Sequence, residues 1–294
     1  MRPGGPACSA EATVPELSGR SNVVGVIGSP IAHSLSPALH NAGFAALGLD
    51  WCCLAFEVAD GDAPRALAGM AALGIRGLSV TMPHKTEVAF LVDDSTPEAL
   101  ALGAVNCVIR QPDGRLLGHN TDGAGFLDSL RLDAGIDPQG MHVVVLGAGG
   151  AARAVVHALG TAGAASVVVL NRHADRAARA AALAFGRGRV GSLADVDAAE
   201  LIVNATPVGM GAGAAESPLP ADAVHAGHVV VDLVYHPAET TLLKAAHAAG
   251  AITLGGLGML VHQAAHAFTR WTGTAAPVEV MRAAATAHLG EARG

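Results

Sequence analysis

The chain has 294 residues, of which 51% are hydrophobic and 15% charged, and its formal net charge is −7. That length holds two domains, and that composition fills their cores and excludes a disordered chain. The acidic balance argues against nucleic acid as a partner and leaves the binding of any anion to local cations and helix ends.

Residues 1–20 are rich in Pro, Gly, Ala and Ser and lack a basic start followed by an apolar segment, so they read as a loose leader, not a signal peptide. Val23 to Ile27 forms a short apolar strand ending at Gly28-Ser29-Pro30, and Ile31 to Pro37 leads into a helix reaching about Leu47. Ser36 before Pro37 has the form of an N-cap followed by a first-turn proline. Ser34 has no such structural duty, and two hydroxyls two residues apart beside a helix start suit a shared carboxylate. A strand over Trp51 to Val58, a helix from about Asp62 to Leu73 and a strand over Ile75 to Val80 follow, an alternation that predicts an α/β layer.

In Ser79-Val80-Thr81-Met82-Pro83-His84-Lys85 the proline opens a helix running to about Val92, with Lys85 in its first turn. The helix dipole disfavours a cation there. The chain has two lysines, Lys85 and Lys244, against sixteen arginines. A lysine kept at an electrostatically awkward place argues for a role that needs an ammonium. Val105 to Arg110 and Arg115 to Gly118, joined by Gln111-Pro112-Asp113-Gly114, predict a hairpin. Asp122 then stands where it would cap a helix continuing through Leu130, a duty compatible with catalysis.

From Val143 a β-branched run feeds into Gly147-Ala148-Gly149-Gly150-Ala151-Ala152 and an alanine-rich stretch, the order of strand, tight turn and helix that opens a βαβ unit. The Gly147-x-Gly149-x-x-Ala152 spacing fits a dinucleotide turn, where a missing side chain lets the backbone approach a pyrophosphate at the helix start. The next strand, Ser166 to Leu170, is followed by Asn171-Arg172 with Arg176 four further on, where an NAD enzyme places an acid. Arginine there suits the 2′-phosphate of NADP. Strands near 200 to 204 and 228 to 232 complete the unit. The loop Asn204 to Met210 leaves a strand's carboxyl end, where open α/β sheets bind ligands. The only tyrosine, Tyr235, follows the strand ending at Asp232, and the segment Gly255 to Gln263 enters a helix before a last one from about Pro277 to Leu289.

Four cysteines (Cys8, Cys52, Cys53, Cys107) show no Cys-x-x-Cys spacing, which points to a reduced, cytoplasmic setting without disulfides or zinc. No metal is expected: His262 and His266 stand four apart, but no glutamate completes a metalloprotease pattern. No run of about 18 uncharged apolar residues occurs, so no membrane span is expected.

Together and in this order, these motifs resemble the shikimate dehydrogenases from Val23 to about Leu289. The resemblance implies an α/β fold with an N-terminal substrate domain (1–121), a Rossmann-type NADP-binding domain (122–255) and C-terminal helices (256–294) returning to the substrate domain. The implied reaction is reversible NADPH-dependent reduction of 3-dehydroshikimate to shikimate in the cleft between them. Carried over by position, Lys85 and Asp122 match the catalytic pair, and Ser34 and Ser36 match the serines that bind the substrate carboxylate. Thr81, Asn106 and Gln263 match contacts to the ring hydroxyls, with Tyr235 lining the site. Gly147, Ala148, Gly149, Gly150, Ala151 and Ala152 match the phosphate turn. Asn171, Arg172 and Arg176 match the adenosine-phosphate clamp, and Thr206, Gly256 and Met259 are further cofactor candidates. Three positions depart from the family's pattern: Ser79 for the usual Asn, Cys107 for a common Thr, and His173 for a frequent Thr. The remaining expectations are a small-molecule substrate, no nucleic-acid or membrane partner, and a monomer or homodimer. The rival readings are a quinate or aminoshikimate dehydrogenase and a non-catalytic NADP(H) sensor.

Overall fold

A computed structural model describes residues 17–291. Most of the expected loose leader, residues 1–16, lies outside the described residues.

The chain opens with β1 (Asn22–Gly28), α1 (Ser36–Ala46), β2 (Trp51–Glu57), α2 (Ala63–Leu73), β3 (Gly77–Val80) and α3 (Lys85–Leu91). It continues through β4 (Asp94–Ser95), α4 (Pro97–Leu102), β5 (Cys107–Arg110), β6 (Leu116–His119) and α5 (Asp122–Asp128). These strands form one mixed sheet in the order β2-β1-β3-β5-β6-β4. β1 runs parallel to β2 and β3, while β5 and β6 make the expected antiparallel hairpin.

The second sheet is wholly parallel. It is built from β7 (His142–Leu146), α6 (Gly150–Thr161), β8 (Ser166–Leu170), α7 (Ala174–Ala181), β9 (Gly188–Val190), β10 (Leu201–Asn204), β11 (Val229–Asp232), α8 (Thr241–Ala248) and β12 (Ile252–Gly255). The order β12-β11-β10-β7-β8-β9 is doubly wound, so the chain reverses direction between β7 and β10, and the crevice at the carboxyl ends of these strands is where such sheets take ligands. Val143, Val145, Val167, Val169, Leu201 and Val203 are all within 1% of full burial, as strands covered on both faces require.

After β12, α9 (Leu257–Thr272) and α10 (Val278–Glu291) return to the first sheet. Val261, Phe268 and Met281 share a core with Val24, Leu39 and Phe44. α5 bridges the halves, because its Phe126, with Leu130 just beyond its end, packs into the core of the second sheet while α5 also lies against α9. At Gly125 the two helices approach so closely that a Cβ would come within 2.5 Å of the Gln263 nitrogen.

Three local readings change. Leu35, already in a helical conformation (φ −81, ψ −9), takes the cap position of α1, so Ser36 becomes the first helical residue and its hydroxyl caps nothing. Thr121 precedes α5 in the same way, leaving Asp122 inside the helix with no capping bond. The helix expected through Leu130 continues as a π turn over Ser129–Asp133, which brings Asp133 to His262 at 2.9 Å and Arg282 at 2.7 Å.

Candidate active site

Lys85 is the first residue of α3, and Asp122 is the first residue of α5. Their side chains meet: Lys85 Nζ donates to Asp122 Oδ2 at 2.6 Å, with the two side chains 21% and 6% exposed. The pair corrects the misplaced charge, since a cation at one helix start is matched by an anion at another, where the dipole favours it. Asp122 Oδ1 accepts from Asn106 Nδ2 at 2.7 Å, so both carboxylate oxygens are held.

Asn106 is itself fixed. Its Oδ1 accepts from the Thr121 backbone N–H at 2.7 Å, and its backbone joins β3 to β6 through bonds with Val80 and His119. Asn120 supports the same turn, accepting from the Asp122 N–H at 3.1 Å and donating to the Ala104 carbonyl at 3.0 Å. Gln263, on α9, donates to the Leu260 carbonyl at 2.9 Å and presents Oε1 to Asn106 and Thr121 at 3.5 Å.

Lys85, Asn106, Asp122 and Gln263 line a cavity of about 200 Å³. Ser34, Ser36, Thr81 and Tyr235 join Lys85, Asp122, Asn106 and Gln263 on its wall, so every expected catalytic and substrate residue converges there. Ser34 Oγ accepts from the Ser36 N–H at 3.3 Å, and both serines line the cavity. Burial pushes the Tyr235 phenol above its ordinary pKa, so it stays a neutral hydroxyl. Of the departures from the family pattern, Ser79 also lines the cavity. Cys107 does not: it is wholly buried in the α1–α9 core, its thiol pushed up to about 12 by burial. Ala151, Gly256 and Met259 close the cavity on the side of the second sheet, placing them beside the lysine and not in the nucleotide groove.

The groove itself, about 650 Å³, runs along the carboxyl ends of β7, β8 and β10. Gly147, Ala148 and Gly149 form its floor, with Asn171, Arg172, His173 and Arg176 at one end and Thr206 at the other. Gly147 has φ 111, and a Cβ there would lie 2.9 Å from the Ala205 carbonyl oxygen, so only glycine fits. A Cβ at Gly149 would meet nothing within 4 Å, which leaves the start of α6 open to a ligand. Among the described residues no carboxylate lines the groove. The donor set of backbone N–H groups and two guanidiniums fits an NADP. Ala152 is fully buried beneath the turn and touches the core instead of the groove, and Gly150 sits over Lys85, its Cβ position 3.9 Å from Lys85 Cδ.

Sequence reasoning missed Thr121, whose hydroxyl and N–H organise Asn106, although it directly precedes Asp122. It also missed Gly191, Ser192 and Leu193, which line the groove after β9, a three-residue strand with no apolar run to announce it. The expected histidine pair binds carboxylates: His262 meets Asp133 and His266 meets Asp128 at 2.7 Å. Among the described residues no cluster of His, Cys, Asp and Glu is arranged to hold a metal, and no helix is long and apolar enough to cross a membrane.

Residues 26–108 match the shikimate dehydrogenase substrate binding domain, 133–219 match shikimate / quinate 5-dehydrogenase, and 256–286 match the shikimate 5′-dehydrogenase C-terminal domain. The chain is 48% identical to a shikimate dehydrogenase (NADP(+)) of Methanopyrus kandleri, over 93% of this chain and 98% of that one. The chain belongs to the shikimate dehydrogenase family. A protein of the same name from Moorella thermoacetica is 46% identical over 90% of this chain and 93% of its own length. The shikimate 5-dehydrogenase of Thermus thermophilus, solved in complex with NADP(H) and shikimate, superposes with a TM-score of 0.85 at 40% identity, covering 91% of this chain and 99% of that one. The family's two-part architecture, a substrate-binding unit beside a Rossmann-type NADP unit, is the one the two sheets form.

Proposed function

We propose that the protein catalyses the reversible NADPH-dependent reduction of 3-dehydroshikimate to shikimate, with Lys85 and Asp122 as the catalytic pair. The observation that carries this reading is the 2.6 Å contact between the Lys85 ammonium and Asp122 inside a cavity walled by hydroxyl and amide groups. A non-catalytic NADP(H) sensor has no use for that arrangement. In this reading residues 1–121 and 256–294 serve the substrate, and residues 122–255 serve the cofactor. The protein acts in the cytoplasm on a small molecule, as a monomer or homodimer, and its acidic balance gives nucleic acid no purchase.

Bound NADPH supplies the hydride for the substrate's carbonyl carbon. Lys85 Nζ gives one N–H to Asp122 and turns the others toward the carbonyl oxygen, where it holds a proton against the charge that develops there. In the oxidative direction the same nitrogen receives the hydroxyl proton. Asp122, gripped by Asn106, keeps the ammonium aimed and offers its carboxylate to a neighbouring substrate hydroxyl. Ser34 and Ser36 donate to the substrate carboxylate without adding charge. Thr81, Asn106, Tyr235 and Gln263 direct polar groups at the ring hydroxyls. On the cofactor side, Gly147, Ala148 and Gly149 bring backbone N–H groups to the pyrophosphate, and Asn171, Arg172 and Arg176 hold the 2′-phosphate. Thr206 flanks the path to the nicotinamide, and Gly256 and Met259 face it across the cavity.

The test follows the nicotinamide absorbance while the protein, NADPH and 3-dehydroshikimate are mixed, and repeats the reverse reaction with shikimate or quinate and with NADP or NAD. Turnover of 3-dehydroshikimate with NADPH, and of shikimate in preference to quinate with NADP, is the expected result. No turnover, or a preference for quinate, would overturn the assignment.

A further inference from the structure

Arg153 ties the cofactor half of the molecule to the catalytic lysine. It lies in the first turn of α6, directly after the dinucleotide turn, yet its side chain leaves its own sheet. Nη1 donates to the Leu102 carbonyl at 2.9 Å, across 51 residues of sequence, and Nη2 reaches Thr86 Oγ1 at 3.5 Å. Leu102 is the last residue of α4, so the cation meets a carbonyl at the negative end of that helix. Beside it Ala154, on α6, shares a small buried cluster with Leu102 and Ala104.

The side chain is half-buried, and burial together with the nearby Arg179 pulls its pKa below the usual guanidinium range. Its hydrogen-bond partners in the other half are a carbonyl and a hydroxyl, which return less than a carboxylate for the desolvation of a cation. Stability alone is therefore a poor account of it, and the position of its contacts supplies another. Thr86 follows Lys85 in the chain, and the Lys85 carbonyl accepts from the Val105 N–H at 2.8 Å, so the segment Leu102 to Val105 is bonded to the lysine's own backbone. At the other end of the same turn of α6, Gly150 stands over the lysine side chain.

We propose that Arg153 is a positioning residue that fixes the separation between the dinucleotide turn and Lys85, and with it the approach of the hydride donor to the substrate carbonyl. The inference rests on the dehydrogenase reading above. Arg153 lines neither the groove nor the substrate cavity, so its effect falls on the distance at which the reaction needs the two ligands held.

The experiment compares wild type, Arg153→Ala and Arg153→Lys by steady-state kinetics and by the isotope effect with NADPH carrying deuterium at the transferred position. Arg153→Ala lowers kcat by about tenfold or more, since misplacement of reacting groups is costly. Its KM values for NADPH and 3-dehydroshikimate stay within about twofold of wild type, the pattern of an interaction that matters in the transition state. The isotope effect on kcat grows as hydride transfer becomes slower than product release, and Arg153→Lys, which keeps a cationic donor at this position, recovers much of the loss. If Arg153→Ala does not fold, Arg153→Gln carries the same readouts. An unchanged kcat, a loss confined to the KM for NADPH, or a fall in kcat with the wild-type isotope effect and no recovery by lysine would each overturn the proposal. A wild-type protein that does not reduce 3-dehydroshikimate would instead overturn the dehydrogenase reading, so the two failures are distinct.

Discussion

Asn204 and Asp232 end the adjacent parallel strands β10 and β11, and Asn204 Nδ2 donates to Asp232 Oδ1 at 2.9 Å with both residues fully buried. From this pair the two loops of the cleft are hung. Asn204 Oδ1 accepts from the Thr206 N–H at 3.0 Å and its hydroxyl at 2.7 Å, fixing the loop that flanks the cofactor groove. Asp232 accepts from the Val234 N–H at 3.1 Å and from the Thr240 hydroxyl at 2.6 Å, fixing the loop that carries Tyr235 into the cavity. Burial pushes the Asp232 carboxyl above its usual range, and the three hydrogen bonds work against that shift.

Replacing Asp232 by alanine therefore strands buried donors on Asn204, Val234 and Thr240. The expected loss of stability is about 3 kcal/mol, because each orphaned buried group costs on the order of 1–3 kcal/mol and part of the cost is relieved by relaxation. Urea unfolding measures it, and a change below about 0.5 kcal/mol, the usual scale of surface substitutions, would contradict the network.

Ser34 and Ser36 changed together to alanine should weaken substrate binding and leave NADPH binding almost untouched. Two hydrogen bonds to a charged group are lost, about 1.5–3 kcal/mol each before relaxation, so the KM for 3-dehydroshikimate rises by at least about tenfold. Because Ser36 is not the cap of α1, Ser36→Ala alone should leave the melting temperature near that of wild type. Equal losses against a substrate analogue lacking the carboxylate would show that the serines bind something else.

Arg172→Ala should raise the KM for NADPH and barely change that for NADH, since only the former carries the phosphate. A charge-assisted contact is worth about 1.5–3 kcal/mol, so the preference for NADPH should fall roughly ten- to a hundredfold. Parallel losses for both cofactors would place Arg172 at the adenine or in the fold.

His40 gives a prediction about pH. Its ring is fully buried among Phe44, Phe268 and Trp271 with no hydrogen-bond partner among the described residues, and burial lowers its pKa to about 3 from 6.5. The unfolded chain thus binds a proton here that the folded chain refuses, so the contribution to stability is complete above pH 6.5 and shrinks as pH falls toward 3. His119, lowered to about 4 mainly by burial, adds in the same sense. His40→Phe removes the titrating group without orphaning a donor. Unfolding free energies measured from pH 7 to pH 4 should fall less steeply in this variant, by about one proton in the slope. An unchanged slope would mean that His40 is protonated in the folded protein.

The dinucleotide half was readable because its strands carry unbroken β-branched runs, Val143 to Val145 and Val167 to Val169, each followed by a side-chain pattern with a chemical purpose. Lys85 and Asp122 were readable one at a time, as a lysine in the wrong place and an acid at a helix start. β4, β9 and β12 escaped because two to four residues flanked by glycine or charge carry no periodicity, and their pairing partners supply what the local sequence lacks. The cap of α1 was misplaced by one residue because Leu35, one residue earlier, already has a helical backbone and its carbonyl accepts from the Leu39 N–H, which no rule about Ser-Pro anticipates. Arg153 had no signal at all: its meaning lies in a carbonyl 51 residues away.

In the proposed mechanism Lys85 takes part in the chemistry and not merely in binding. The most direct measurement is turnover of 3-dehydroshikimate by Lys85→Ala under saturating NADPH, with substrate affinity measured separately on the same folded protein. Loss of a positioned acid lowers kcat by roughly a hundredfold or more while the dissociation constant changes far less. A folded Lys85→Ala protein that turns over at nearly the wild-type rate would contradict the account.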